Sequence, residues 1–516
     1  VDLHIFKQPS LEVNLLNQQE EKGIFFPAVA KTFQNSKNWA LVEIYPFLKV
    51  LNTMEKVKEL LLSKGGYILS TLLSNGGQYA EIFFEHSRTT RVHYENGKVD
   101  KVLHGFDGGV GLRLIKDFKV YYGYTNEPTL SNLLEIAKVL AKADGQGPVN
   151  WGLIKRVGTT DVKIDPDQTP LSYRVEILER ANQKAREVGG DKVKQVQAVL
   201  MDKTREILVI NSLGEIGEDT QKRVVFFVET VVGENGNLQR GYESLGGLVG
   251  FEIFEQTPPE VIAEKATRRA LTMLKAKPAP AGQFTVVISS EAGGTMIHEA
   301  VGHGLEADLV QKGISVYAGK IGQKVASELV TVIDDATLPH HNGSFSIDDE
   351  GVPAQKKVLI SEGVLQGYMY DRLTAMREGK QSTGNGRRQS YRFAPIVRMT
   401  NTYIAPGKDN PQDIIADTKK GIYIVKMGGG EVNTTTGDFV FEVMEAYLIE
   451  NGKITYPIRG ATLIGNGPKA LQDVDAVGND LGWSIGTCGK DGQGVPVTDA
   501  QPTLRIKKLT LGGTEV

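Results

Sequence analysis

Glu291-Ala-Gly-Gly-Thr-Met-Ile-His298-Glu299-Ala-Val-Gly302-His303-Gly-Leu-Glu306-Ala-Asp308 is the stretch on which the reading of this chain turns. It follows a strand-like run, Phe284–Ser289, and sets two histidines and a carboxylate on a helix. Neutral imidazoles are good zinc ligands, and a neighbouring carboxylate can accept a proton from a metal-bound water. The spacing is unusual. His298 and His303 are five residues apart, which on a regular α-helix turns their side chains about 140° from one another, against about 40° at the common four-residue spacing. Both can address one ion only if the helix is distorted, and Gly302 can accept a π-bulge or a helix end that rotates His303 back. One distorted metal-binding helix is therefore expected. The bland alternative is two unrelated helix histidines.

A zinc site open to water needs a third protein ligand. Glu306, Asp308, His340, His341 and the single cysteine, Cys488, are the candidates that the residues supply. Cys488 lies in GWSIGTCGKDGQG (482–494), where small residues allow close backbone approach. As a thiolate it would bind strongly; as a buried thiol it would be inert.

Around this segment the chain divides into two textures. Residues 1–53 show no sustained period and read as an extension of unknown role, with Met54 as the natural start. Residues 54–280 alternate helices with hairpins and read as an N-terminal α/β domain. Helices are expected over Met54–Ser74, Leu130–Ala143, Leu171–Val188 and Pro258–Leu274, the last with proline in its first turn. Strands are expected over Ala80–Phe84, Thr90–Tyr94, Val99–Leu103, Val110–Ile115, Val120–Tyr124, Val193–Leu200, Glu206–Ile210 and Arg223–Val232, with Asn96-Gly97 a favoured hairpin turn. Asp144–Pro170 reads as a surface connection and Lys275–Gly282 as a linker. Residues 281–516 read as a β-rich C-terminal domain, with hairpin turns at Glu362-Gly363 and Asn451-Gly452. The fold class is α+β.

Composition excludes several classes. The 516 residues are 40% hydrophobic and 23% charged, ordinary for a globular chain. A formal charge of −3 gives no bulk field for nucleic acid or an anionic membrane. One cysteine allows no intrachain disulfide, and no apolar run approaches the ~18 residues of a membrane span, so a cytoplasmic protein is expected. Gly482-Trp483-Ser484-Ile485-Gly486 fits a nucleophile elbow, but no histidine follows His341 to complete a triad. No glycine-lysine pair is followed by Ser or Thr, so the phosphate-binding P-loop is missing. Asp334-Asp335 and Asp348-Asp349-Glu350 read as turns or salt-bridge partners before they read as a second cation site.

Taken together, HEAVGHGLEAD (298–308), DDEGVPAQ (348–355), GNGRRQSY (384–391), RMTNTYIAPG (398–407), TTGDFVFEVMEAYLIENGKI (435–454) and GTCGKDGQGVPV (486–497) resemble the TldD/PmbA metallopeptidases, on the TldD side. The resemblance covers roughly residues 60 to 512. It implies a zinc site with His298, His303 and Cys488 as ligands and Glu299 as general base, and a catalytic chain rather than its PmbA/TldE-type relative, which lacks the motif. It also implies dimers, with that relative or with itself, enclosing a site for short or unfolded peptides. Zn2+ is the expected cofactor and a peptide the expected substrate. Arg388, Tyr391 and His340 are candidate donors to a developing oxyanion. MGGGEVN (427–433) reads either as an edge that pairs with an extended peptide, through Gly429 and Gly430, or as an ordinary glycine loop. The competing function is a non-catalytic peptide-binding or scaffold subunit with a structural, four-ligand metal site.

Overall fold

The computed structural model describes residues 44–142 and 154–514, with side chains from Met54 onward. Helix α1 (Ile44–Leu72) begins ten residues before Met54, so the described part of the expected extension is continuous with the first helix; residues 1–43 lie outside the described residues.

The N-terminal half is built on one long-stranded sheet. Its strands are β1 (Tyr79–Glu95), β2 (Lys98–Lys116), β3 (Lys119–Thr125), β4 (Ile154–Thr159), β5 (Val193–Asn211), β6 (Glu215–Glu234) and β7 (Asn237–Gly247). They run in the order β3-β2-β1-β5-β6-β4, with β7 also on β6. All neighbours are antiparallel except β4 and β6. Six short runs of the sequence are thus halves of three long strands: Ala80–Phe84 joins Thr90–Tyr94 in β1, Val99–Leu103 joins Val110–Ile115 in β2, and Val193–Leu200 joins Glu206–Ile210 in β5. Polar residues between the halves, such as Glu85, His86 and Ser87, are buried against other elements, which the period-2 pattern does not reveal. The expected surface connection at 144–170 is corrected in part. Residues 143–153 are outside the described set, but Ile154–Thr159 is strand β4, paired along β6.

Alternation sorts the two faces of this sheet. Ile82, Phe84, Val92 and Tyr94 of β1 face the helices. α1 and α2 (Leu130–Leu140) cover one end, through Leu61, Leu69, Leu133 and Ala137. α3 (Leu171–Gly189) and α4 (Pro259–Leu274) cover the other, through Ile177, Ala181, Ile262 and Ala266. The opposite face carries Phe83, Ile207 and Val209, which pack with Ile347 and Tyr391 of the C-terminal half.

That half has two large sheets and a two-stranded ribbon, Gly386–Arg387 with Ile396–Val397. In the first, a closed ring of five strands runs Lys420–Val432, Gly282–Ile288, Leu504–Gly512, Ala461–Asn466 and Asp438–Glu450, which pairs back onto the first. The linker is stitched to it, Lys277–Pro278 pairing with Lys453–Arg459. The second sheet ends in the hairpin Gly482–Lys490/Gln493–Gln501. The three expected two-residue turns are present with both central residues at positive φ: Asn96-Gly97, Glu362-Gly363 and Asn451-Gly452. Asp491-Gly492 closes the C-terminal hairpin in the same way. Among the described residues no helix is long and apolar enough to cross a membrane.

Candidate metal centre

The chain leaves strand Gly282–Ile288, makes a short turn at Ser290–Ala292, and enters the helix that carries the two histidines. After one α-helical turn, Thr295–Ile297, residues His298–Gly302 are π-helical, and the N–H of His303 donates to the carbonyl of His298. The widened turn is the distortion that a five-residue spacing demands: His298 and His303 return to one face, their ring centroids 5.1 Å apart. Apolar neighbours on the same segment, Met296, Ile297, Val301 and Leu305, anchor it in the C-terminal core. A side chain at Gly302 would run into Met399, and one at Gly304 into the Tyr317 ring.

Cys488 arrives on the C-terminal hairpin. One donor atom each from His298, His303 and Cys488 lies within 4.8 Å of the others, all three residues buried. Cys488 Sγ is 3.5 Å from His303 Nε2. Each imidazole is oriented from behind. Asp499 Oδ1 is 2.7 Å from His298 Nδ1, and Glu306 Oε2 is 2.9 Å from His303 Nδ1. These contacts leave the Nε2 atoms for a metal, the arrangement that fixes the tautomer of a ligating histidine. Glu299 Oε2 is 3.8 Å from His303 Nε2, on the open side of the cluster.

The electrostatics suit a cation. Burial pushes the Cys488 thiol up, but His298 and His303 overcome it and bring the group down to about 4. Burial pulls the His303 ring down, yet Glu306 and Cys488 raise it to about 9; His298 is likewise raised, by Asp499 and Cys488. Protons held this tightly on the imidazoles mark a position where positive charge is wanted, and a divalent ion displaces such protons. Burial raises the Glu299 carboxyl against the lowering pull of the two histidines, which makes it the better base.

Glu306 and Asp308, considered above as third ligands, are turned away: Lys490 Nζ lies 3.0 Å from Glu306 and 2.8 Å from Asp308. Burial opposes the charge on Glu306, but Lys490 and His303 hold it down at about 2. His341 meets the Trp483 ring edge-on and hydrogen-bonds Pro339 O, and His340 sits at a left-handed turn position; neither joins the cluster. Arg388 and Tyr391 are also placed elsewhere. Arg388 is buried in an ion pair with Glu81, and Tyr391 Oη donates to Asp107, so the N-terminal sheet engages the polar groups expected at the substrate. Ser484 lies on a strand rather than a nucleophile elbow. Asp334 is a structural ion-pair partner of Lys357.

Gly429 and Gly430 belong to strand Lys420–Val432, not to a loop. One edge of that strand pairs with Asp438–Glu450; the other pairs with Gly282–Ile288 only through Ile424. Beyond it, Lys426–Gly429 line a groove of about 280 Å³ together with Ala292 of the preceding turn, Thr295 of the metal-site helix and Tyr242 of β7.

Asp499, Lys490 and Arg398 are the site residues that sequence reading missed. Arg398 donates to the carbonyls of Cys488 and Gln493 and so holds the hairpin in place. The available signal for Asp499 was Gly293-Gly294: a Cβ at Gly294 would meet Asp499 and Ala500, so that pair marks where the hairpin lies against the helix start.

The chain is similar to known proteins over most of its length. Models of the PmbA/TldA metallopeptidase match in three consecutive pieces: domain 1 over residues 80–143, the central domain over 164–274 and the C-terminal domain over 281–513. The metalloprotease TldD homolog of Haemophilus influenzae is 39% identical over 452 residues, 84% of this chain and 93% of its own length. The zinc metalloprotease TldD homolog of Saccharolobus solfataricus is 34% identical over 272 residues, 52% of this chain and 60% of its own. The crystal structure of TldE from Thermococcus kodakarensis shares the fold at a TM-score of 0.70 and 20% identity, covering 89% of this chain and 100% of that one.

Proposed function

The chain belongs to the TldD/PmbA metallopeptidase family, and from that premise we propose that it is a zinc-dependent peptidase acting on short or unfolded peptides. The observation that carries the proposal is the convergence of His298, His303 and Cys488 beside a carboxylate, Glu299, that none of them needs as a ligand. Zinc held by two imidazoles and a thiolate would supply Lewis acidity for the scissile carbonyl and lower the pKa of a bound water. Glu299 accepts the proton of the attacking water and passes it to the leaving amine. Asp499 and Glu306 hold the imidazoles in one tautomer and add negative charge behind them. Lys490 neutralises Glu306, which keeps that carboxylate out of the cluster.

The groove at Lys426–Gly429 supports peptide binding by strand addition. Its free edge presents main-chain donors and acceptors beside the helix that carries His298. Recognition through the main chain implies broad side-chain tolerance. Assembly as a dimer, with a TldE-type relative or a second copy, belongs to the same proposal; native mass spectrometry of the chain alone and mixed with such a relative tests it. A structural four-ligand site is not favoured, because Glu306 and Asp308, the candidates for a fourth ligand, are engaged by Lys490.

The deciding experiment is Glu299→Gln with metal content measured alongside peptide cleavage. Retained stoichiometric zinc with turnover lost by about 100-fold or more is expected of a missing general base. Full turnover by the variant would remove Glu299 from the mechanism.

A further inference from the structure

Beside the C-terminal hairpin, the N-terminal sheet and the C-terminal half enclose a cavity of about 130 Å³. Against the ~30 Å³ that one water occupies in the liquid, this admits a small oxyanion with room to spare. Its walls are rich in cations. β5 and β6 contribute Lys203, Arg205 and Arg223, and the segment after Gly386 contributes Arg387 and Arg388. The acids among the lining residues are Asp348 and Asp349.

The charges do not balance by contact. Arg205 pairs with Asp349 at 2.8 Å and with Glu85 at 3.3 Å, and Arg388 pairs with Glu81. Arg223 and Arg387, both buried, have no such partner: among the described residues neither has a carboxylate within salt-bridge distance. Arg223 donates to the Asn342 and Ser344 carbonyls and to the Gln221 amide oxygen; Arg387 donates to the carbonyls of Met399 and Pro496. Arg388 Nε is buried without any hydrogen-bond partner. Burial, together with neighbouring guanidinium groups, brings Arg223 down to about 9, and burial brings Arg387 down to about 10. Uncompensated buried charge is costly, and a bound anion is the natural means of removing that cost. Guanidinium groups suit it, since their planar forks match carboxylate and phosphate oxygens.

We propose that this cavity binds a small oxyanion, a phosphate or a carboxylate group, through Arg223 and Arg387, with Lys203, 3.8 Å from Glu85, also in its wall. The wall includes Gly494–Pro496, and Val495 is the cross-strand partner of Cys488, so the anion would brace the strand that pairs with the one carrying the thiolate.

The test is equilibrium dialysis of the full, metal-loaded chain against radiolabelled inorganic phosphate at constant ionic strength, repeated after chelation of the metal. Acetate and succinate serve as competitors. Saturable one-to-one binding that survives chelation and weakens about tenfold or more in Arg223→Gln is the expected result. Stronger competition by a carboxylate than by unlabelled phosphate assigns the site to carboxylates; the reverse assigns it to phosphate. Binding that vanishes with the metal, or that Arg223→Gln leaves unchanged, overturns the proposal. If Arg223→Gln fails to fold, Lys203→Gln in the same assay and anomalous density in crystals grown with selenate take its place. Density outside the cavity, or none, overturns the proposal equally.

Discussion

Asp499 touches His298 Nδ1 and no other titratable group as closely, so its removal isolates one imidazole's orientation. For Asp499→Ala we expect zinc affinity, read by competition with a chromogenic chelator, to fall about 10- to 100-fold while the fold is kept. Unchanged affinity would mean that the ring needs no carboxylate behind it. Cys488→Ala should lose stoichiometric zinc altogether, and Cys488→Ser should retain a weak remnant, because a hydroxyl is a far poorer ligand than a thiolate. Stoichiometric zinc in Cys488→Ala would return the third-ligand position to Glu306 or Asp308. His298, Glu299 and His303 were legible in the sequence because they are close together along the chain and their spacing makes a geometric demand. Cys488 was one of several open candidates until the family resemblance singled it out. Asp499 was missed, because beyond the close-approach glycines Gly293-Gly294 nothing in a local window links it to a histidine 201 residues away.

The helix that carries the histidines works because it is not a regular helix. Its π turn at His298–Gly302 is packed so closely against Met399 that a Cβ at 302 would have to displace the buried Met399 side chain. Gly302→Ala should therefore destabilise the protein by about 1–3 kcal/mol, the usual cost of overpacking a core. It should also weaken metal binding, since relief of the clash moves His303. Gly302→Ala with Met399→Ala should recover part of both losses, and a double variant no better than the single one would assign the effect to backbone strain instead. The distortion itself was readable, from the mismatch between five residues and a 3.6-residue turn. The glycine strand was only half readable. Its residues suggested either an edge or a loop, and the structure gives an edge in which Gly429 has open space while a side chain at Gly430 would strike the Phe441 ring. Gly429→Val is thus the clean probe: loss of peptide affinity without loss of thermal stability supports strand addition, and unchanged affinity and turnover end it.

At the scale of the whole molecule, the two halves are joined by ion pairs buried between the N-terminal sheet and the C-terminal half. Hairpin turns, helix periods and the change of texture near 280 are local signals, and they were legible. The polar face of the N-terminal sheet was not, because its charged residues read as solvated until a second body covers them. Glu81 is the clearest case. It is the cross-strand neighbour of Arg113, which reaches it at 2.5 Å and Glu350 at 2.6 Å, and Arg388 closes on its other oxygen. All four residues are buried. Burial opposes the charge on Glu81, but Arg113 and Arg388 outweigh it and hold the carboxyl below its usual range. A carboxyl lowered in the folded state contributes stability above its unfolded value, about 4.3, and loses that contribution as pH falls through the folded value. Glu81→Gln leaves Arg388 without its carboxylate and Arg113 with Glu350 alone, a change of the kind that costs about 3–5 kcal/mol. In urea unfolding the gap between wild type and Glu81→Gln should be widest at neutral pH and narrow steadily below about pH 4. A gap that stayed constant on acidification would show that Glu81 acts through its shape and hydrogen bonds alone, and that the charge of this junction contributes nothing to holding the halves together.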